Sequence, residues 1–174
     1  FEEAEAITPV DVLRRAGLET ATVGESGRIV TGAHGVKVEA DLTEADVSLE
    51  KADMVVLPGG PGTPNHEKSR KVREALEYCV KHDRYVAAIC AAPSVLGHMG
   101  LLKGREAVCF PGYESELGAA GVPRRAVCVS GKIITARGPG VSLEFALKLV
   151  ETLCGPEKAR EIGKSMQWNG TSAS

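Results

Sequence analysis

Apolar and polar positions fall into blocks along this chain, and the period changes from block to block. Met54-Val55-Val56-Leu57 is an unbroken apolar run, the pattern of a parallel strand covered on both faces. Residues 85–90 form a second such run, which ends on Cys90. Residues 36–39 alternate, and residues 18–23 and 107–110 read as further strands. Residues 126–129 and 133–136 flank Ser130-Gly131-Lys132 as the two arms of a hairpin. Between these runs the period becomes helical. Residues 67–81 place Val72, Leu76, Cys79 and Val80 on one stripe. Residues 141–153 form another helix, and residues 156–166 a last one with Lys and Arg on its outer face. The first helix spans 2–16 and stops at Gly17. Pro9 inside it predicts a kink or a new first turn, with Thr8 as cap and Asp11 completing a capping pattern.

Strands separated by helices define a βαβ architecture, so the expectation is one α/β layer sandwich over residues 1–168. Residues 169–174 are small and polar and are expected to be a disordered tail. The chain opens directly on a helix, whereas a domain of this type opens on a strand. A first strand is therefore expected either before Phe1 or from elsewhere.

Composition narrows the function classes. The 174 residues suffice for a sizeable core. A net charge of −2 gives no reason to expect nucleic acid or an anionic membrane surface as partner. No apolar stretch has the length of a membrane span. The acidic start (Glu2, Glu3, Glu5) lacks the basic region of a signal peptide. The five cysteines are odd in number and form no CxxC pair, which fits reduced thiols in the cytoplasm better than a disulfide scaffold. Cys109 and Cys128 lie in apolar stretches and read as core. The four histidines have no ligand spacing, so no metal is expected. The glycine-rich loop Pro58-Gly59-Gly60-Pro61-Gly62 matches neither dinucleotide nor P-loop spacing, and no cofactor is expected.

The candidate chemistry sits at Ala87-Ala88-Ile89-Cys90-Ala91-Ala92-Pro93. A buried strand breaks there into a helix, which lifts Cys90 to the carboxyl edge of the sheet beside free helix N–H groups. A helix start lowers a thiol pKa from about 8.5 by only roughly 0.2 to 1.5. Cys90 therefore needs a partner to become a nucleophile.

These pieces resemble the ThiJ/PfpI superfamily, and within it the DJ-1-like branch. The matching segments are Phe1-Glu2-Glu3-Ala4-Glu5-Ala6, Pro9-Val10-Asp11-Val12-Leu13-Arg14-Arg15-Ala16-Gly17, Leu57-Pro58-Gly59-Gly60, the Cys90 segment, and Arg137-Gly138-Pro139-Gly140 with Glu144-Phe145-Ala146. The resemblance implies a flavodoxin-like (Rossmann-like) three-layer sandwich, a mostly parallel sheet, a cysteine nucleophile elbow and a homodimer. It makes Cys90 the nucleophile and Glu5 the acid that hydrogen-bonds the thiol. Gly60 and Ala91 take the positions whose backbone N–H groups face the pocket, with Gly59 beside them. Arg15 corresponds to a basic residue near the pocket and the dimer contact. Pro139 is a candidate for the pocket rim, and His34, in a loop, for a pocket residue. Some members carry a histidine before the proline that follows the elbow helix; here Phe110 precedes Pro111, as in the bacterial ThiJ-like subgroup. Without that base a Cys-His-acid peptidase is disfavoured.

The resemblance implies cofactor-independent, cysteine-dependent handling of reactive carbonyls, as a glyoxalase III or protein deglycase, with protection against oxidative stress. The substrate would be a small α-oxoaldehyde or a glycated group. The rival reading is a non-enzymatic redox sensor or chaperone built on an oxidisable Cys90. Thiazole-phosphate (thiamine) biosynthesis ranks below both, because no phosphate site is visible.

Overall fold

The computed structural model describes residues 1–170; residues 171–174 of the expected tail lie outside the described residues. The strands, in chain order, are β1 (Val23–Gly24), β2 (Ile29–Thr31), β3 (Lys37–Glu39), β4 (Leu42–Thr43), β5 (Met54–Leu57), β6 (Tyr85–Ile89), β7 (Val127–Ser130) and β8 (Ile133–Ala136). The helices are α1 (Glu3–Arg15), α2 (Thr63–Lys68), α3 (Arg70–Lys81), α4 (Pro93–His98), α5 (Ser142–Cys154) and α6 (Pro156–Ser165).

The main sheet has the order β5-β6-β8-β7, parallel throughout except for the antiparallel β7–β8 hairpin. Strand alternation splits its side chains between two cores. Ala87, Ile89, Ile134 and Ala136 pack with Val12 and Leu13 of α1 and with Phe145, Leu149 and Val150 of α5. Leu57, Val86, Ala88 and Ile133 pack on the other face with Leu76 and Cys79 of α3 and Val95 and Leu96 of α4. Helices on both faces of a mostly parallel sheet make the expected three-layer sandwich.

Several elements differ from the sequence reading, each for a local reason. Helix α1 runs unbroken through Pro9, so no new first turn starts there and Thr8 is no cap. Glu2 is the cap, accepting from the Ala4 amide at 3.2 Å, and Asp11 bonds Arg15. The helix expected over 67–81 is two helices, because Ser69 adopts extended backbone between α2 and α3 and caps α3 through its Oγ and the Val72 amide. Val80 faces solvent, 50% exposed, and Ala75 takes its place on the buried stripe. Residues 18–23 yield strand only at their end, since the Thr20 carbonyl is taken by the Arg14 guanidinium. Residues 107–110 form no strand. Strand β8 already has β6 and β7 on either side, and this segment instead bonds Gly121, the Thr135 hydroxyl and Cys90. Among the described residues no helix is long and apolar enough to cross a membrane, and the five cysteines are free thiols.

Candidate functional site

Strand β6 ends at Ile89, and Cys90 follows with φ 65, a left-handed backbone that a non-glycine residue adopts at a cost. The turn is pinned on both sides. The Cys90 amide donates to the Ala136 carbonyl at 2.9 Å, and the Cys90 carbonyl accepts from the Phe110 amide at 2.8 Å. The residue is 9% exposed, so the thiol is largely sheltered.

Helix α1 brings Glu5 to the same place. Glu5 is fully buried, and its Oε2 accepts the Gly59 amide at 2.9 Å. Its Oε1 is buried with no partner at standard hydrogen-bond geometry. The Cys90 thiol couples to this carboxyl, and the Ala91 and Gly60 N–H groups face the sulfur. Gly59 is what allows the approach: a Cβ there would lie 2.8 Å from both the Cys90 Cβ and Glu5 Oε2. Gly60, at φ +96, leaves room for the backbone of Phe1 and Glu2.

The electrostatics make the two groups one titrating unit. Burial pushes the Glu5 carboxyl up, against the Cys90 hydrogen bond and the Gly59 amide. Burial, then the Glu5 hydrogen bond and charge, push the Cys90 thiol up to about 12, against the Ala91 and Gly60 amides. This reverses the modest lowering expected from a helix start. Helix α4 has only 6 residues and a correspondingly small dipole, so desolvation and the adjacent carboxylate win. The thiolate becomes accessible when the shared proton sits on Glu5 and the like-charge repulsion disappears.

The other candidates scatter. Phe110 lies beside the elbow through its bond to Cys90, with its ring against Gly138, whose added Cβ would meet Phe110 Cδ2 at 3.1 Å. Cys109 is buried in the opposite core. Pro139 opens a 3-10 turn next to Gly138 and is exposed. Arg15 sits ten residues further along α1 than Glu5, about 15 Å at helical rise, where it pairs with Asp11 at 2.9 Å. Within this chain it therefore lies away from the thiol. His34 is 75% exposed and turns to Glu3 Oε2 at 3.0 Å and Glu2 Oε2 at 3.2 Å. Burial resists, but the His34 ring and the His34 and Val36 amides hold the Glu3 carboxyl down to about 2. Glu2, Glu3 and His34 bring potential ligand atoms within 4.8 Å of one another, a grouping that the spacing along the chain hides. Those acceptors are already answered by His34 and by backbone. A groove of about 200 Å³ lies next to Gly60, lined also by Ser94, His98 and Tyr113; its walls do not include Cys90.

A mostly parallel α/β sandwich with a strained cysteine elbow and a buried glutamate beside it defines a class of cysteine-elbow proteins. Residues 1–152 match the model of the DJ-1/PfpI family, and the chain belongs to that family. It is 37% identical over 165 residues to protein DJ-1 homolog B of Arabidopsis thaliana, covering 92% of this chain and 38% of that protein's length. It is 36% identical over 167 residues to the glutathione-independent glyoxalase DJR-1.2 of Caenorhabditis elegans, covering 95% of this chain and 89% of the relative. The structure superposes on Toxoplasma gondii DJ-1 in its oxidized form with a TM-score of 0.93 at 37% identity, over 97% of this chain and 94% of that one.

Proposed function

We propose that this protein converts small α-oxoaldehydes such as methylglyoxal to hydroxy acids, using Cys90 and Glu5 and no cofactor. The observation that carries the reading is the burial of Glu5 against a strained, barely exposed Cys90, with the Gly60 and Ala91 amides facing the sulfur. A relative named as a glutathione-independent glyoxalase supports the substrate class.

The chemistry follows from the shared proton. With that proton on Glu5, the Cys90 thiolate attacks the aldehyde carbon and a C–S bond forms. The carbonyl electrons move to oxygen, where the Gly60 and Ala91 N–H groups stabilise the charge. Glu5 delivers its proton to that oxygen, giving a hemithioacetal and a carboxylate. The carboxylate then removes the C1 proton to give an enediolate, the hydroxyl proton passes from the C1 oxygen to the C2 oxygen, and Glu5 returns its proton to C2, which leaves a thioester of the 2-hydroxy acid. Water hydrolyses the thioester, releasing lactate and restoring the pair; it is the one co-reactant consumed. Phe110 contributes no base, so Glu5 handles each proton.

The test is lactate production from methylglyoxal by the wild type, Cys90→Ser and Glu5→Gln. Turnover in the wild type alone is expected; equal lactate from Cys90→Ser overturns the reading. A second reading rests on the same geometry. Oxidation of Cys90 to a sulfinic acid would place oxygens beside Glu5 and the Gly60 amide, suiting a redox sensor. Sulfinate formation in peroxide without any carbonyl turnover favours it. Both readings fit a cytoplasmic protein, where free thiols stay reduced. They also fit a homodimer, since Ile29 and Val36 remain 61% and 51% exposed and a second copy would cover such surface. Sedimentation of the purified chain tests that assembly.

A further inference from the structure

The loop Pro58-Gly59-Gly60 supplies amides to both reacting groups, so whatever holds its outer side sets their positions. Its carbonyls are each occupied. Gly59 O accepts from the Glu2 amide at 3.0 Å, and Gly60 O accepts from the Thr63 hydroxyl at 2.8 Å. Pro58 O faces His66 Nε2 at 2.9 Å. Of these donors only His66 titrates near neutral pH.

The His66 side chain is 11% exposed, and its Nδ1 bonds the Glu25 carboxylate. A carbonyl and an ionised carboxylate are acceptors only, whereas a neutral imidazole carries a single N–H. Both contacts are satisfied together when the ring holds both protons. Glu25 lies in the turn after β1, which is tight enough that a Cβ on Gly24 would fall 1.9 Å from Gly27 O. We propose that His66, as an imidazolium clamped between Glu25 and the Pro58 carbonyl, is a positioning residue for the Gly59 and Gly60 amides, and that its deprotonation at alkaline pH loosens the site.

The electrostatics agree in sign. Burial disfavours a charged ring, but the Glu25 hydrogen bond and charge, with the Pro58 carbonyl, outweigh it and raise the His66 pKa. The neighbouring Glu67 is taken up by His98. A raised pKa means the latch is fully closed below the ordinary value of about 6.5 and opens as pH climbs through the folded-state value.

The inference rests on Cys90 and Glu5 being the reactive pair, yet it is read without turnover. The experiment is NMR of the full chain between about pH 5 and 10, following the His66 ring and the Gly59 and Gly60 amides. The ring is expected to titrate above its ordinary value, with both amides moving at the same midpoint. Glu25→Gln should lower the proton affinity of His66 about tenfold or more and carry the amide transition with it. His66→Gln keeps one donor, cannot titrate, and should abolish the amide step at the ring's midpoint, leaving only the response of both amides to Glu5 and Cys90, which Glu5→Gln identifies; it serves also if Glu25→Gln fails to fold. A ring that titrates at or below its ordinary value, or amides indifferent to it, overturns the latch. Amides that follow the ring in a protein that consumes no methylglyoxal uphold the latch and overturn the proposed activity.

Discussion

Glu5 and Cys90 meet across Gly59, with both the Cys90 Cβ and Glu5 Oε2 lying 2.8 Å from the point a Gly59 Cβ would occupy. The residues are far apart in sequence, one on the first turns of α1 and the other at the end of β6. The shared amide of Gly59, donated to Glu5 at 2.9 Å, ties the acid to the loop that also faces the thiol.

Gly59→Ala should therefore separate the pair rather than unfold the chain. The added methyl contacts Cys90, Glu5 and the Ile89 carbonyl, all inside hard-sphere limits. Overpacking of this kind costs about 1–3 kcal/mol, which urea unfolding measures. Misplacing reacting groups by about 1 Å costs roughly 10²-fold in rate, so methylglyoxal consumption should fall that far while the protein remains folded. Unchanged consumption would mean that the two side chains do not work together.

The segment carrying Phe110 hangs on the hydroxyl of Thr135, which accepts the Val108 amide at 2.9 Å inside the core. Thr135→Val keeps the shape and removes the acceptor. A buried amide left unsatisfied costs about 1–3 kcal/mol. The expected result is a loss of that size in urea unfolding, with faster amide exchange at Val108; a neutral substitution would show that the segment is held by packing alone.

Ser69 ends one helix and starts the next. Its Oγ accepts the Val72 amide at 3.0 Å and also donates to Glu44. Ser69→Ala should cost about 1 kcal/mol, the usual value of a lost N-cap, with no change in Cys90 alkylation rate. Altered alkylation would tie α3 to the site in a way the geometry does not suggest.

Much of this was legible in the chain because periodicity and burial coincide. Residues 54–57 occupy the strand that their unbroken apolar run predicts, since buried parallel strands need continuous apolar side chains, and residues 133–136 the strand expected of a hairpin arm. The break at Cys90 was legible because a buried apolar run ends there and small residues with Pro93 follow at once, while its role as a nucleophile came from the family resemblance. What stayed hidden depends on backbone groups being spent on side chains. Thr20, Val108 and Ser69 all divert ladders or helices through hydrogen bonds that no period reports. Glu5 reads locally as a solvated helix residue; family resemblance singled it out, and its burial comes from packing α1 against the elbow. The reversal of the Cys90 proton affinity was invisible for the same reason, because desolvation is a property of the assembled core. His66 and Glu25 lie in unremarkable polar stretches, and only the fold puts them together.

Glu5→Gln separates the roles that one carboxyl plays. The glutamine keeps an oxygen for the Gly59 amide but carries no charge and no transferable proton. In the wild type, burial first and then Glu5 hold the Cys90 thiol up at about 12. Removing the charge should lower the thiol pKa, so iodoacetamide alkylation near pH 8 should speed up and the thiolate absorbance should rise at a lower pH. Methylglyoxal turnover should nonetheless drop by at least about 10²-fold, because no group remains to carry protons. Stability should move with the thiol. The Glu5 pKa is raised in the folded state, so between its ordinary value near 4.5 and the raised one the folded chain binds more protons than the unfolded chain. Stability therefore falls as pH rises through that window, and at neutral pH the raised proton affinity of Glu5 is a net cost. Glu5→Gln should relieve it, raising stability at pH 7 by about 0.5–2 kcal/mol, the usual yield of relaxing a strained site. The gain should shrink toward zero as the pH is lowered below the ordinary carboxylate value, where both chains hold a neutral side chain. Urea unfolding of the two proteins at pH 7 and near pH 4 measures both. Faster alkylation, lost turnover and a pH-dependent stability gain are expected together; a variant that is slower to alkylate and less stable at pH 7 would show that Glu5 serves as a structural hydrogen-bond partner and not as the proton carrier of Cys90.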